Sequence, residues 1–109
     1  MTFDEYQQAA LRTAPPADKK NELFHLVLGL VGESGEIAEK VKKWVRDQNS
    51  DMSLLDRADL KKELGDVLWY IAVLADHLGI KLEDVMSTNV AKLADRQQRG
   101  VLQGKGDNR

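Results

Sequence analysis

The chain has 109 residues, of which 42% are hydrophobic and 31% charged, so its size and composition are typical of one folded domain. The net charge of −2 argues against a general nucleic-acid-binding protein, and the absence of cysteine excludes disulfides, zinc–thiolate sites and thiol nucleophiles. The N-terminus does not resemble a signal peptide, and no apolar run reaches the roughly 20 residues of a membrane helix. We therefore expect a cytoplasmic protein that binds neither nucleic acid nor membranes.

The predicted elements are all helices. Thr2 and Glu5 match a capping box at the start of the first helix, and Pro15 and Pro16 end it. Apolar spacing predicts three further helices, over residues 18–46, 55–78 and 82–98, with a polar loop over residues 47–51 and Gly79 as a C-terminal cap. Residues 98–109 form a glycine-bearing basic tail. The predicted fold is all-α, a four- to five-helix bundle in a single domain over residues 1–109, and so small a bundle would bury more surface as an oligomer.

The second helix breaks its own apolar pattern. On a helical wheel Glu33 falls inside the apolar stripe and Glu36 lies at its border. An isolated carboxylate in such a position costs several kcal/mol or takes up a proton, unless a cation or hydrogen-bond donors meet it. The same helix carries Gly29, Gly32 and Gly35, whose spacing indicates close approach either by a neighbouring helix or by a ligand.

The third helix repeats the arrangement. Glu63 and Asp66 lie together along the edge of its apolar stripe, with Tyr70 beside them. If the two helices face each other, four carboxylates converge, and such a group is stable only around a cation. Oxygen ligands favour Mg²⁺, Mn²⁺ or Ca²⁺, and Mg²⁺ suits an open site that shares its ion with substrate phosphates.

A di-iron bundle is the nearest competing metal site. It requires two Glu-x-x-His motifs, of which Glu22 and His25 supply one, whereas Leu74 stands three residues before His77. We therefore place this alternative well behind a magnesium site.

The fourth helix carries polar and basic groups. Asn89 falls within its apolar stripe, Arg96 lies toward one edge and Lys92 lies on the flank. Lysine and arginine beside a metal site can hold phosphate oxygens, although surface ion pairs are the alternative interpretation for Arg96. Tyr70, one turn after Asp66, is the best candidate for stacking on a nucleobase.

These residues resemble those of a known family. Residues 29–40 (GLVGESGEIAEK), followed by residues 63–70 (ELGDVLWY), resemble the MazG-like all-α nucleoside triphosphate pyrophosphohydrolases. That family is recognised by an E-x-x-E pair followed by an E-x-x-D pair, and here 26 residues separate Glu36 from Glu63. The resemblance extends through Asn89, Lys92 and the tail, so it covers the chain from about Leu23 onward.

The resemblance implies a reaction and a site. Its metal ligands would be Glu33, Glu36, Glu63 and Asp66, holding Mg²⁺ with Mn²⁺ as a substitute. Water would attack the α-phosphorus of a nucleoside triphosphate and release a monophosphate and pyrophosphate, with Glu36 or Glu33 as the catalytic base. The residues implied to contact the substrate are Asn89 and Lys92, followed by Arg96, Lys105 and Arg109.

The resemblance also implies a homodimer or homotetramer, and housecleaning of the nucleotide pool as the role. Two alternatives remain open at this point. One is a phosphoribosyl-ATP pyrophosphohydrolase-like enzyme with similar helices. The other is a helical interaction module without enzymatic activity, whose acidic residues bind a cation for assembly.

Overall fold

A computed structural model describes residues 1–16, 20–107 and 109. In this part of the chain it contains four α-helices and no strand, so the all-α prediction is confirmed. The helices are α1 (Phe3–Leu11), α2 (Glu22–Gln48), α3 (Arg57–His77) and α4 (Leu82–Gln98), with a short 3₁₀ helix over Met52–Leu54. No helix among the described residues is long and apolar enough to cross a membrane.

Local chemistry sets the helix ends. The predicted capping box is confirmed, because the Glu5 amide donates to Thr2 Oγ1 at 3.1 Å and the Thr2 amide donates to Glu5 Oε1 at 3.0 Å. Gly79 has a φ of +72° and ends α3 as predicted. Asn49, with a φ of +52°, ends α2 two residues later than predicted.

Two helices begin later than predicted. α2 begins at Glu22, and the predicted start at Asp18 lies outside the described residues. α3 begins at Arg57 rather than at Leu55, because the side chain of Asp56 accepts a hydrogen bond from the Asp59 amide and so caps the helix.

The core lies at one end of α3. The C-terminal half of α3 packs against α1 and the start of α4, and the beginning of α2 joins this cluster. The most buried apolar side chains are those of Ala10, Leu26, Ala72, Val73 and Leu82. Beyond this core, α2 and α3 run side by side as an antiparallel hairpin. Gly29, early in α2, lies against Tyr70, and Lys40, further along α2, lies against Asp59 near the start of α3.

The apolar stripe predicted for α3 is only partly buried. Leu64, Leu68 and Leu78 are exposed, whereas Ala72, Val73 and Ala75 are buried. The helical wheel identifies the apolar side of a helix, but the neighbouring helices decide how much of that side is covered. The radius of gyration is 17.0 Å, larger than the roughly 13 Å of a compact domain of this length, because the hairpin extends beyond the core.

Candidate active site

The α2–α3 hairpin brings carboxylates from both helices together. Glu33 on α2 and Glu63 and Asp66 on α3 each offer an oxygen atom, and the three oxygens lie within 4.8 Å of one another. Glu33 and Glu63 are half-buried, and Asp66 is exposed. Oxygen atoms this close, with one side open to solvent, are suited to share one hard divalent cation. We call these three residues the carboxylate group.

Glu36 lies outside the carboxylate group. It is exposed and follows Glu33 by three residues on α2, so it lies about one helical turn away. Its charge nevertheless reaches the group, because it is one of the charges that raise the pKa of Glu33. The sequence predicts four metal ligands, and the structure brings three of them together.

Burial and neighbouring charges both act on the ionisation of Glu33. Partial burial raises the pKa of this carboxyl above its ordinary value of 4.5, and the charges of Asp66, Glu63 and Glu36 raise it further. The direction of this shift means that the folded protein disfavours the ionised form of Glu33. A bound cation would remove the penalty, so the donor set fits a metal ion on electrostatic as well as geometric grounds.

Lys40 lies at the end of the carboxylate group. Its Nζ is 2.6 Å from Oε1 of Glu63 and 2.7 Å from Oδ2 of Asp59. Hydrogen bonds to these two carboxylates raise the pKa of Lys40 above its ordinary value, so the side chain stays charged. Lys40 was not among the predicted site residues, although its position four residues after Glu36 places it on the same side of α2.

An apolar cavity of about 270 Å³ opens beside Tyr70. Tyr70 lies one helical turn after Asp66 on α3. Trp69 and His25 also line it, and the two aromatic rings of Trp69 and Tyr70 pack edge to face with centroids 4.9 Å apart. The other lining residues are Ala14, Pro15, Pro16, Glu22, Leu26 and Val73. An apolar, aromatic wall with a few polar groups is typical of small-molecule sites.

Gly29 has no side chain, which leaves room for the ring of Tyr70 in this position. A methyl group added at Gly29 would overlap the ring of Tyr70, whereas one added at Gly32 or Gly35 meets no described atom within 4 Å. Among the described residues, the close approach that the glycine spacing predicts is therefore found at Gly29 and not at Gly32 or Gly35. At Gly29 the close approach is made by an aromatic side chain of the neighbouring helix.

The basic residues of α4 contact the tail rather than the carboxylate group. Lys92 Nζ and an Arg96 terminal nitrogen each lie 3.1 Å from Oδ1 of Asp107. These two cations hold the pKa of Asp107 below its ordinary value. Arg96 is only 3% exposed and also donates to the backbone carbonyl of Asp107 at 2.9 Å.

The remaining predicted substrate contacts lie on α4 and in the tail. Asn89 and Lys105 are exposed, and the Arg109 side chain donates to the carbonyls of Val101 and Leu102. In the described part of the chain, no ion pair joins these basic residues to the carboxylate group, because α4 packs on α1 and α3. The role of Asp107 was not predicted, since nothing local in the sequence pairs it with α4.

The fold and the site together define an all-helical protein in which two antiparallel helices bring together a carboxylate group suited to a metal ion. A family model described as the MazG nucleotide pyrophosphohydrolase domain matches residues 22–101. The chain belongs to this family, and the prediction made from its two acidic motifs is confirmed. The matched region contains the carboxylate group, Lys40, the aromatic residues Trp69 and Tyr70 of the cavity, and the basic residues of α4.

Individual relatives extend this comparison. The chain is 49% identical to the Gene 37 protein of Mycobacterium phage L5, over an alignment of 114 residues that covers all of both proteins. It is 40% identical to YvdC of Bacillus subtilis (strain 168) over 72 residues, which cover 62% of this chain and 68% of YvdC.

Two mammalian relatives carry a name that states an activity. The chain is 35% identical to dCTP pyrophosphatase 1 of Bos taurus over 95 residues, which cover 77% of this chain and 56% of that protein. It is 34% identical to dCTP pyrophosphatase 1 of Mus musculus over 90 residues, or 76% of this chain and 51% of that protein. The chain thus spans about half the length of these two relatives. No solved structure gives a significant match.

Proposed function

We propose that the protein is a Mg²⁺-dependent nucleoside triphosphate pyrophosphohydrolase. The observation that carries this proposal is the convergence of Glu33, Glu63 and Asp66 from two helices within 4.8 Å. Membership of the nucleotide pyrophosphohydrolase family supports the same class of reaction. Housecleaning of the nucleotide pool in the cytoplasm is the role that suits this reaction.

The reaction begins with attack of water on the α-phosphorus. The bond between that phosphorus and the oxygen bridging to the β-phosphate breaks, and pyrophosphate leaves with the electron pair of the bond. A carboxylate accepts the proton of the attacking water, and the second product is a nucleoside monophosphate. Such transfers depend mainly on positioning and on neutralising the phosphate oxygens.

The carboxylate group would hold Mg²⁺, with Glu36 turning in as a fourth ligand or remaining free as the base. Bound Mg²⁺ supplies charge neutralisation at the phosphate oxygens and lowers the pKa of water. Because Glu36 lies outside the group of three, we assign it the role of base ahead of Glu33. Mn²⁺ is expected to substitute, since it accepts the same oxygen ligands.

The cavity beside Tyr70 would receive the nucleobase. The ring of Tyr70 offers a stacking surface one turn from Asp66, so a triphosphate on the carboxylate group could reach the cavity with its nucleoside. The names of the two mammalian relatives make dCTP the first substrate to test. Asn89 and Lys92 are proposed to contact sugar or phosphate, whereas Arg96, Lys105 and Arg109 would require the tail to rearrange.

The exposed side of α2 would be covered by a second copy of the chain. Phe24 and Leu28 are each 68% exposed and Val31 is 63% exposed, and these residues follow one another at helical spacing. A continuous apolar surface of this kind marks an interaction site. Leu28→Asp should lower the mass measured by light scattering to that of one chain, while Val90→Asp, at a comparably exposed site on α4, should not.

The decisive experiment is a panel of nucleoside triphosphates and deoxynucleoside triphosphates with Mg²⁺, in which both products are identified. Monophosphate and pyrophosphate are expected in equal amounts. Release of orthophosphate would contradict cleavage at the α-phosphorus. Phosphoribosyl-ATP belongs in the panel as the substrate of the alternative enzyme, and Mg²⁺-dependent assembly without turnover of any nucleotide would indicate the non-enzymatic module.

A further inference from the structure

The carboxylate group has a partner that is not a metal ligand. Lys40 reaches from α2 across to α3 and places its ammonium between Glu63 and Asp59, at 2.6 and 2.7 Å. Its side chain is 31% exposed and that of Glu63 only 15%. The contact is therefore partly sheltered from solvent, unlike the other lysine pairs on α2, in which Lys42 and Lys43 meet Glu39 at the surface.

The position of this ammonium bears directly on the geometry of the site. Oε1 of Glu63 accepts a hydrogen bond from Lys40, and Glu63 also belongs to the carboxylate group. A glutamate side chain has several rotatable bonds, so holding one of its oxygens restricts the directions available to the other. Residues that hydrogen-bond to a metal ligand commonly set both the orientation of that ligand and the affinity of the site for the metal.

We propose that Lys40 is a positioning residue that fixes Glu63 for metal binding, with Asp59 holding Lys40 in turn. The inference rests on the proposed function, since it assigns Glu63 to the metal. Through this chain of contacts, Asp59 and Lys40 keep one oxygen of Glu63 occupied and leave the other for the cation. Glu63 then binds through a single oxygen beside Glu33 and Asp66.

This role makes a prediction opposite to that of simple electrostatics. Lys40 is a positive charge next to a cation site, so its removal alone should strengthen metal binding by relieving repulsion. If Lys40 positions Glu63, its removal should weaken metal binding instead. The sign of the change therefore separates the two cases.

The test is Mn²⁺ binding by isothermal titration calorimetry and by the electron paramagnetic resonance signal of free Mn²⁺, without nucleotide. Lys40→Met is expected to weaken Mn²⁺ binding by about tenfold, the lower end of the range for groups that orient metal ligands. Lys43→Met is the matched control. Lys43 lies one turn further along α2 and pairs with Glu39, so this variant removes the same charge without touching Glu63 or Asp59. Its affinity should stay within about twofold of the wild type, as for an exposed charge screened by salt.

Two further variants keep the test independent of folding. Lys40→Arg retains the charge and can donate to both carboxylates, so it should recover most of the affinity. Lys40→Gln is too short to reach both carboxylates and should lose affinity, even if Lys40→Met fails to fold. Equal or tighter Mn²⁺ binding by folded Lys40→Met or Lys40→Gln overturns the positioning role alone. Absence of Mn²⁺ binding by the wild-type protein overturns the proposed metal site as well.

Discussion

The side chain of Gln7 on α1 caps the first residue of α4. The Leu82 amide donates to Gln7 Oε1 at 3.0 Å, and Gln7 Nε2 donates to the carbonyls of Ala72 and Ile80, both at 3.1 Å. Gln7 is 4% exposed, and its hydrogen bonds to Leu82 and Ala72 are buried. One buried amide thus joins α1, the C-terminal half of α3 and the start of α4, and fixes the core from which the hairpin extends.

Gln7→Ala should therefore destabilise the protein strongly. Three hydrogen bonds are lost and the buried Leu82 amide is left without its partner, so we expect a decrease of about 2–4 kcal/mol in the free energy of unfolding. Urea denaturation followed by circular dichroism measures this quantity. Gln8→Ala, at the exposed neighbouring position, should change it by less than about 0.5 kcal/mol. Equal stability of the two variants would show that the buried network contributes little.

The Gln7 network also shows which features the sequence can predict. The capping box at Thr2 and the end of α3 at Gly79 depend on chemistry within a few residues, and both predictions are confirmed. Gln7 meets Leu82 at a separation of 75 residues, which no local pattern encodes.

The same distinction applies to the site. The helical wheel marked Glu33 as an acid on an apolar face, and the structure brings it to Glu63 and Asp66. The wheel could not foresee that Arg96 would be buried against Asp107, since that contact depends on how the tail folds back onto α4. Exposure of Leu64 was missed for a related reason, because it depends on which helices are present to cover α3.

Glu33→Gln should stabilise the metal-free protein at neutral pH. The pKa of Glu33 is raised in the folded state, so ionisation of this carboxyl opposes folding. The penalty is absent well below pH 4.5, grows between pH 4.5 and the raised pKa, and is complete above the raised pKa. Thermal unfolding in the presence of a chelator should thus give a higher Tm for Glu33→Gln at neutral pH, and little difference in acid.

Added Mn²⁺ should reverse this order, because only the wild-type protein keeps all its carboxylates for the ion. Glu39→Gln on the same helix serves as the control, since Glu39 pairs with lysines at the surface. A lower Tm of metal-free Glu33→Gln at neutral pH would contradict the repulsion inferred for this site.

Glu63→Gln and Glu36→Gln should separate metal binding from proton transfer. Glu63→Gln loses a ligand of the carboxylate group, so both Mn²⁺ affinity and activity should fall. Glu36→Gln should retain Mn²⁺ affinity while kcat falls by about 10²–10⁴-fold, the range for loss of a general base. Calorimetry and a pyrophosphate-release assay measure the two quantities on the same preparations. Loss of Mn²⁺ affinity in Glu36→Gln would make Glu36 a fourth ligand instead.

Gly29→Ala should disturb the cavity through Tyr70. The added methyl group overlaps the ring of Tyr70, so the ring must move, and we expect a higher KM for nucleotide together with lower stability. Gly32→Ala is the matched control on the same helix, where the methyl group meets no described atom of the chain. It should leave KM unchanged and stabilise the helix by about 0.5–1 kcal/mol. Steady-state kinetics across both variants decides whether Tyr70 takes part in substrate binding.

The antiparallel pairing of α2 with α3 determines where the chain can change in length. Lys40 meets Asp59, Glu33 meets Asp66 and Gly29 meets Tyr70, so the facing positions are set by packing along the two helices. Insertions or deletions in the exposed turn over residues 49–51 leave these facing positions in place. One residue inserted between Glu33 and Lys40 rotates one of these side chains by about 100° around the helix axis relative to the other. No adjustment of the turn can then restore the contacts of both residues with α3. Within the hairpin, length variation compatible with activity is therefore confined to the turn.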